Sequence, residues 1–194
     1  MIIAADPGTG ISSPTGFSVF NPVTLEILYA ANIGTKRKLL QHRLKEISDI
    51  FQNTILDIDG HYSQTHDVLF CIEQFVMRGK GGETLQRVIG SLIGRLPYGF
   101  NLVHVQNTTV KLMVAGHGHA EKHEVAKGLE KHFSSNKSSE ALIKSLTDKN
   151  EYDILDSLAI GVTGWKTFRG QISPKTLRKR KKPKKEKDSP PTIR

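Results

Sequence analysis

Apolar and polar positions change their period several times along the chain. Residues 1–5 (MIIAA) are an unbroken apolar run that predicts a buried strand. After the turn-rich stretch PGTGISSPT an alternating strand resumes over 16–20, Asn21-Pro22 marks a turn, and LEILYAA (25–31) predicts a third strand. The pattern then becomes helical in TKRKLLQHRLKEISDIFQNTIL. There Leu40, Leu44, Ile47, Phe51 and Ile55 share one stripe, and Thr35 is placed to cap the start. Val68 to Ile72 predicts a fourth strand. A glycine-rich loop from Arg78 to Gly82 leads into a helix over about 83–96, and Asn101 to Val105 predicts a fifth strand. Helices are expected around 109–115, 121–133 and 138–146, with a last one over 151–168. No internal repeat is present. A three-strand meander, then alternating helices and strands, then terminal helices imply an α/β fold with a mixed sheet covered on both faces.

Four acids interrupt this pattern at places where charge is costly. Asp6 ends the first apolar run and Glu73 ends DVLFCIEQ, while Asp153 and Asp156 share the helical stretch EYDILDSLAIGVTGW. Ionised carboxylates at strand ends and on apolar helix faces need something to neutralise them. Asp153 and Asp156 are three apart, so in a helix they share a face, with Leu155, Leu158, Ala159 and Val162 on the packed side. If the first and fourth strands are neighbours, Asp6 and Glu73 face one another, and the last helix can lay its aspartates over the same edge. Such an all-oxygen set suits Mg²⁺ or Mn²⁺. Two such ions about 4 Å apart are the arrangement that hydrolyses phosphodiesters. Taken singly, Asp153 could be a helix-start dipole partner and Asp6 a turn residue before Pro7-Gly8.

Charge changes the picture at one end only. The 194 residues carry a formal net charge of +9. From Gln171 to Arg194 ten Lys or Arg stand against Glu186 and Asp188, which leaves 18 basic and 17 acidic groups in the first 170 residues. The expected division is a domain over 1–170 and a basic, disordered tail over 171–194. The tail, with Lys179, Arg180, Lys181 and Lys182 at its centre, reads as a solubilising or targeting segment or as an arm attracted to phosphates; the acid quartet favours the arm. No run approaches the roughly 20 apolar residues of a membrane span, and Asp6-Pro7-Gly8 spoils the N-terminus as a signal peptide. Hydrophobic residues make up 37%, in clear blocks that can form a core. The single Cys71 excludes an internal disulfide and points to an intracellular protein.

The residues IIAADPG, CIEQFVM, VKLMVAGHGHAEKHEV and DILDSLAIG resemble, in order and spacing, the motifs of the RuvC family of Holliday-junction resolvases. The resemblance spans about residues 1–165, and the segment from Val110 to Val125 is its most specific part. It implies an RNase H-like fold with a five-stranded mixed sheet flanked by helices, a homodimer, and paired nicks in four-way DNA junctions. It further implies Asp6, Glu73, Asp153 and Asp156 as catalytic, metal-holding acids for two Mg²⁺ ions, with Mn²⁺ as substitute. Lys111 and Lys122 match family lysines that contact the DNA backbone near the cut. There are three departures, of which the first two bear on junction geometry and sequence preference rather than on the metal site. The loop from Asp6 to Gly16 is longer, the aromatic Phe75 comes one place early, and the tail has no counterpart. A phage or viral relative that cuts branched DNA more loosely fits them.

Other features admit plainer readings. His117, His119 and His123 suggest zinc, yet their segment has no cysteine and no fixed ligand geometry, so surface loop histidines are the simpler account. Gly90 and Gly94 could mark close helix packing or a dimer interface. Phe75, Arg78 and Lys80 flank Glu73 on a cationic loop suited to an opened DNA branch, against a solvated loop with Phe75 in the core. Trp165 reads as core.

Four functions compete. A structure-selective endonuclease and a less selective nuclease of flaps or RNA–DNA hybrids differ in whether two active sites act together. A sugar-kinase or actin-like ATPase would share the Asp6–Gly10 loop but needs two such domains. A non-catalytic DNA-binding protein leaves the four acids unexplained.

Overall fold

Strand β1 (Ile2–Asp6) is the axis of the molecule: Ile2 to Ala5 are buried on both sides, which is why its sequence is continuously apolar rather than alternating. The computed structural model from which this follows describes residues 1–9, 13–62, 68–74 and 82–170. On one side β2 (Thr15–Phe20) pairs antiparallel with β1, and β3 (Ile27–Ile33) pairs antiparallel with β2. On the other side β4 (Leu69–Glu73) runs parallel to β1, and β5 (Asn101–Val105) parallel to β4. The sheet order is β3-β2-β1-β4-β5, the five-stranded mixed sheet that the pattern implies.

Because side chains alternate along a strand, β1 feeds two separate cores. Ile3 and Ala5 point to the face covered by α1 (Leu40–Tyr62) and α2 (Gly82–Ile93), where Phe17, Ile47, Phe51, Phe70 and Leu92 are buried. Phe51 of α1 stacks edge-on against Phe17 and Phe70, with ring centroids 5.2 and 5.4 Å apart. Ile2 and Ala4 point to the opposite face. It is covered by α3 (Asn107–Ala115), α4 (Lys122–Phe133), α5 (Lys137–Asp148) and α6 (Tyr152–Phe168). Here α6 lies close on the strands because it carries glycines where it crosses them. A Cβ at Gly161 would sit 2.6 Å from Phe20 Cε1, and one at Gly164 would sit 2.3 Å from Cys71 Sγ. Cys71 is fully buried, and burial pushes its thiol pKa up, so it behaves as a small apolar residue. Trp165 packs at the margin of this core, with the Arg169 guanidinium over its ring at 5.2 Å.

Of the boundaries that differ from the sequence expectation, two have a physical cause visible in the structure. β3 begins at Ile27 rather than at Leu25. Asn21 Oδ1 accepts hydrogen bonds from the amides of Val23 and Thr24, and Leu25 takes a positive φ of 56°, so the turn consumes two more residues. Thr35 does not cap α1, which starts at Leu40. Its hydroxyl instead accepts from the Arg37 amide at 3.1 Å. Lys36, Arg37 and Lys38 in a first turn would set three cations against the positive end of the helix dipole, which opposes an earlier start. Among the described residues no helix is long and apolar enough to cross a membrane.

Candidate metal centre

Asp6 and Glu73 are brought together by the parallel pairing of β1 and β4. Ala5 lies opposite Ile72, so the next residues, Asp6 and Glu73, end the two strands side by side at the same rim. Both share the parity of Ala4 and Cys71, and therefore lie on the sheet face that α6 covers. α6 starts at this rim. Its first turn approaches β2 at Gly16, where a Cβ would lie 1.8 Å from the carbonyl oxygen of Asp153. Only glycine allows the helix to begin there. The β1–β2 connection is tied at its mouth, with Thr15 Oγ1 accepting from the Gly8 amide at 3.1 Å and donating to the Gly8 carbonyl at 3.3 Å.

The outcome is a group of carboxylate oxygens from Asp6, Asp153 and Asp156 that all lie within 4.8 Å of one another. Glu73 is outside that trio but lines the same cavity as Asp6 and Asp156, together with Asn107, Lys111 and Lys122. All four acids expected from the sequence thus lie at one rim. Asp156 stands in the tight trio, and Glu73 stands one step back.

The electrostatics are unbalanced. Burial, reinforced by the negative charges of Asp156, Glu73 and Asp153, raises the Asp6 pKa from 3.8 to about 8. Asp156 is also pushed up, first by burial, while Lys122 pulls it down. The Lys122 Nζ lies 3.5 Å from Asp156 Oδ2 and 3.9 Å from Asp153 Oδ1, and 5.4 Å from the Tyr152 ring centroid. One ammonium, half exposed, cannot neutralise four carboxylates. A divalent cation bound by hard oxygens fits the donor set and removes the repulsion that raises Asp6.

Lys122 is held in place by the start of its own helix. Glu121 and Glu124 form a capping box there, with Glu124 Oε2 accepting from the Glu121 amide at 2.8 Å. His117 Nε2 lies 3.2 Å from Glu124 Oε1 and His123 Nδ1 lies 3.5 Å from Glu121 Oε2, so these histidines face the cap acids. Among the described residues no other three His, Cys, Asp or Glu side chains converge as the aspartates do, so the His117, His119 and His123 segment makes no zinc cluster. A Cβ at Gly90 would meet nothing within 4 Å, so close packing on the sheet does not explain that glycine. Phe75, Arg78, Lys80, Lys179, Arg180, Lys181 and Lys182 lie outside the described residues.

Sequence reasoning missed Gly8, Gly16, Thr15 and Asn107. The signal available for Gly16 was its place at the end of the β1–β2 loop, opposite Asp6 in the register.

No protein-family model and no curated protein matches the chain. Among solved structures, a RuvC from T. thermophilus in complex with a Holliday junction substrate is 20% identical, with a TM-score of 0.59 over 88% of this chain and 95% of that one. A second Thermus thermophilus RuvC structure is 19% identical, with a TM-score of 0.56 over 87% of this chain and 96% of that one. The strand order, the helices on both faces and this extent of overlap give the chain the α/β fold of the RuvC structures, an RNase H-like architecture.

Proposed function

We propose that the chain is a divalent-metal-dependent DNA endonuclease that resolves four-way junctions by paired nicks, acting as a homodimer. The observation that carries this reading is the convergence of Asp6, Asp153 and Asp156 at the rim where Glu73 also ends its strand. Asp6, Asp153, Asp156 and Glu73 are the residues that would hold two Mg²⁺ or Mn²⁺ ions. When bound, such ions supply an activated water and stabilise the leaving 3′ oxygen. The protein's own part is placement. Gly16 lets α6 bring its aspartates to the strand ends, and the helix holds their spacing. Lys111 and Lys122 both line the cavity, where each can take a phosphate oxygen and position the backbone. Residues 171–194 serve as a cationic arm for DNA, and Phe75, Arg78 and Lys80 meet the opened branch point.

Labelled four-way junction, flap, RNA–DNA hybrid and linear duplex, incubated side by side with Mg²⁺ or Mn²⁺, test this. Symmetrical nicks in the junction are expected. Preferred cutting of flaps or hybrids without paired nicks would give the less selective nuclease instead. Asp6→Asn, Glu73→Gln and Asp153→Asn are expected to abolish cleavage while preserving junction binding, and Asp156→Asn to impair it severely. Cutting by any of the first three overturns the assignment. Removing residues 174–194 lowers affinity and flattens its salt dependence, with the rate at saturating DNA unchanged.

A further inference from the structure

We infer a second phosphate-contacting surface, the basic segment between β3 and α1, which grips a duplex arm a few nucleotides away from the carboxylate rim. Residues 34–45 hold five Lys or Arg (Lys36, Arg37, Lys38, Arg43 and Lys45) and no acid, although the first 170 residues as a whole are nearly neutral. The topology starts this segment at the rim that carries the carboxylates, and from there it leads to α1 on the other face of the sheet. Asp6 lies opposite Gly16, and Gly16 lies opposite Asn32, so the last turn of β3 ends at the same rim, two strand spacings or roughly 10 Å from Asp6. Asn32 Nδ2 also donates to Glu151 Oε2 at 2.6 Å, which ties that end of β3 to the residue preceding α6.

The segment is held rather than left free. Thr35 is buried, its hydroxyl accepts from the Arg37 amide and donates to Glu46, and Arg37 Nε pairs with Glu46 Oε2 at 3.4 Å. Arg37 is thus paired with Glu46, and Lys45 with Asp49. Lys36 and Lys38 remain exposed, with no ion pair among the described residues, and the first turn of α1 contributes no acid to balance them. Like charges close together in the chain repel one another, and a row of phosphates along the rim relieves the repulsion. At 3.4 Å per nucleotide, the roughly 10 Å from Asp6 to Asn32 spans about three nucleotides, so the linkages to probe for contacts with the cations that follow Asn32 in the chain begin about three nucleotides from the cut.

This rests on the nuclease reading above, and the test separates the two. Junction affinity of the full chain is measured over a range of salt for the native protein, for Lys36→Gln/Lys38→Gln and for Lys36→Arg/Lys38→Arg. Loss of two phosphate contacts lowers the slope of log affinity against log salt by about 2 in the glutamine variant, and the arginine variant keeps the native slope. Neutral methylphosphonate linkages placed three to five nucleotides from the cut weaken binding by the native protein and leave the glutamine variant unaffected. If the native protein cuts junctions but the glutamine variant has its salt slope and its methylphosphonate response, the second surface is refuted and the nuclease reading stands. If the native protein neither binds nor cuts branched DNA, both fall. Weakened binding to vesicles of anionic lipid with an unchanged DNA slope would assign the segment to a membrane surface and also overturn the proposal.

Discussion

The two faces of the sheet are built on opposite plans. On the α1 and α2 face, large side chains fill the gap: Phe17, Phe51 and Phe70 interlock around Ile47 and Ile55. On the α6 face, the helix is small where it crosses the strands, with Gly161 over Ala4 and the Phe20 ring and Gly164 over Cys71. Bulky packing tolerates a few tenths of an ångström of adjustment, because side chains shift to compensate. Backbone against strand does not. The difference shows where precision is required: the face that carries Asp6, Glu73, Asp153 and Asp156 is the one in which a helix is seated by the absence of side chains.

That contrast can be broken from either side. Phe51→Ala should cost about 3–5 kcal/mol in denaturant unfolding, since it empties the centre of the aromatic cluster. The variant that remains folded should bind Mn²⁺ as the native protein does; lost metal binding would show that the two faces are coupled. Gly16→Ala should act the other way. A Cβ 1.8 Å from the Asp153 carbonyl must displace the start of α6, and a misplacement of about 1 Å can cost 10²-fold in rate. Cleavage is expected to fall by about that factor with junction binding retained, and native kinetics would contradict the account. Gly164→Ala overpacks the helix on Cys71 and should destabilise by about 1–3 kcal/mol in thermal or denaturant unfolding.

A further test is one of pH. Asp6 titrates near 8 in the folded chain against an ordinary 3.8, so the metal-free fold keeps its full stability below the ordinary value and loses it as pH rises through about 8. Asp156, shifted in the same direction, adds to this. His132 opposes it at the acid end: burial lowers its pKa to about 4, so its contribution is lost as pH falls from 6.5 to 4. Subtracting the profile of Asp6→Asn isolates the Asp6 part, which saturating Mg²⁺ should abolish. A midpoint difference between native and Asp6→Asn that is flat from pH 5 to 9 without metal would be inconsistent with the buried carboxylate.

Much of this was legible in the sequence. Apolar runs and helical period located the strands and helices of the described residues, because burial on one or both faces is written into local sequence. The acids stood out because charge at the end of an apolar strand is costly wherever the strand is placed. What periodicity could not show was distance between elements. The three-residue spacing of Asp153 and Asp156 placed both on one helix face, yet only the seating of α6 on Gly16 makes Asp156 part of the tight group and leaves Glu73 behind it. Thr35 looked like a cap because a hydroxyl precedes a helical stripe. The cations after it moved the helix start, and Glu46, eleven residues away, took its hydroxyl as a partner.

The central claim is that Asp6, Asp153 and Asp156 hold a divalent cation, and anomalous scattering from crystals containing Mn²⁺ tests it most directly. The account predicts Mn²⁺ between these three residues, within about 2.6 Å of an oxygen from each. Mn²⁺ bound elsewhere, with this group still closed by Lys122, would contradict it.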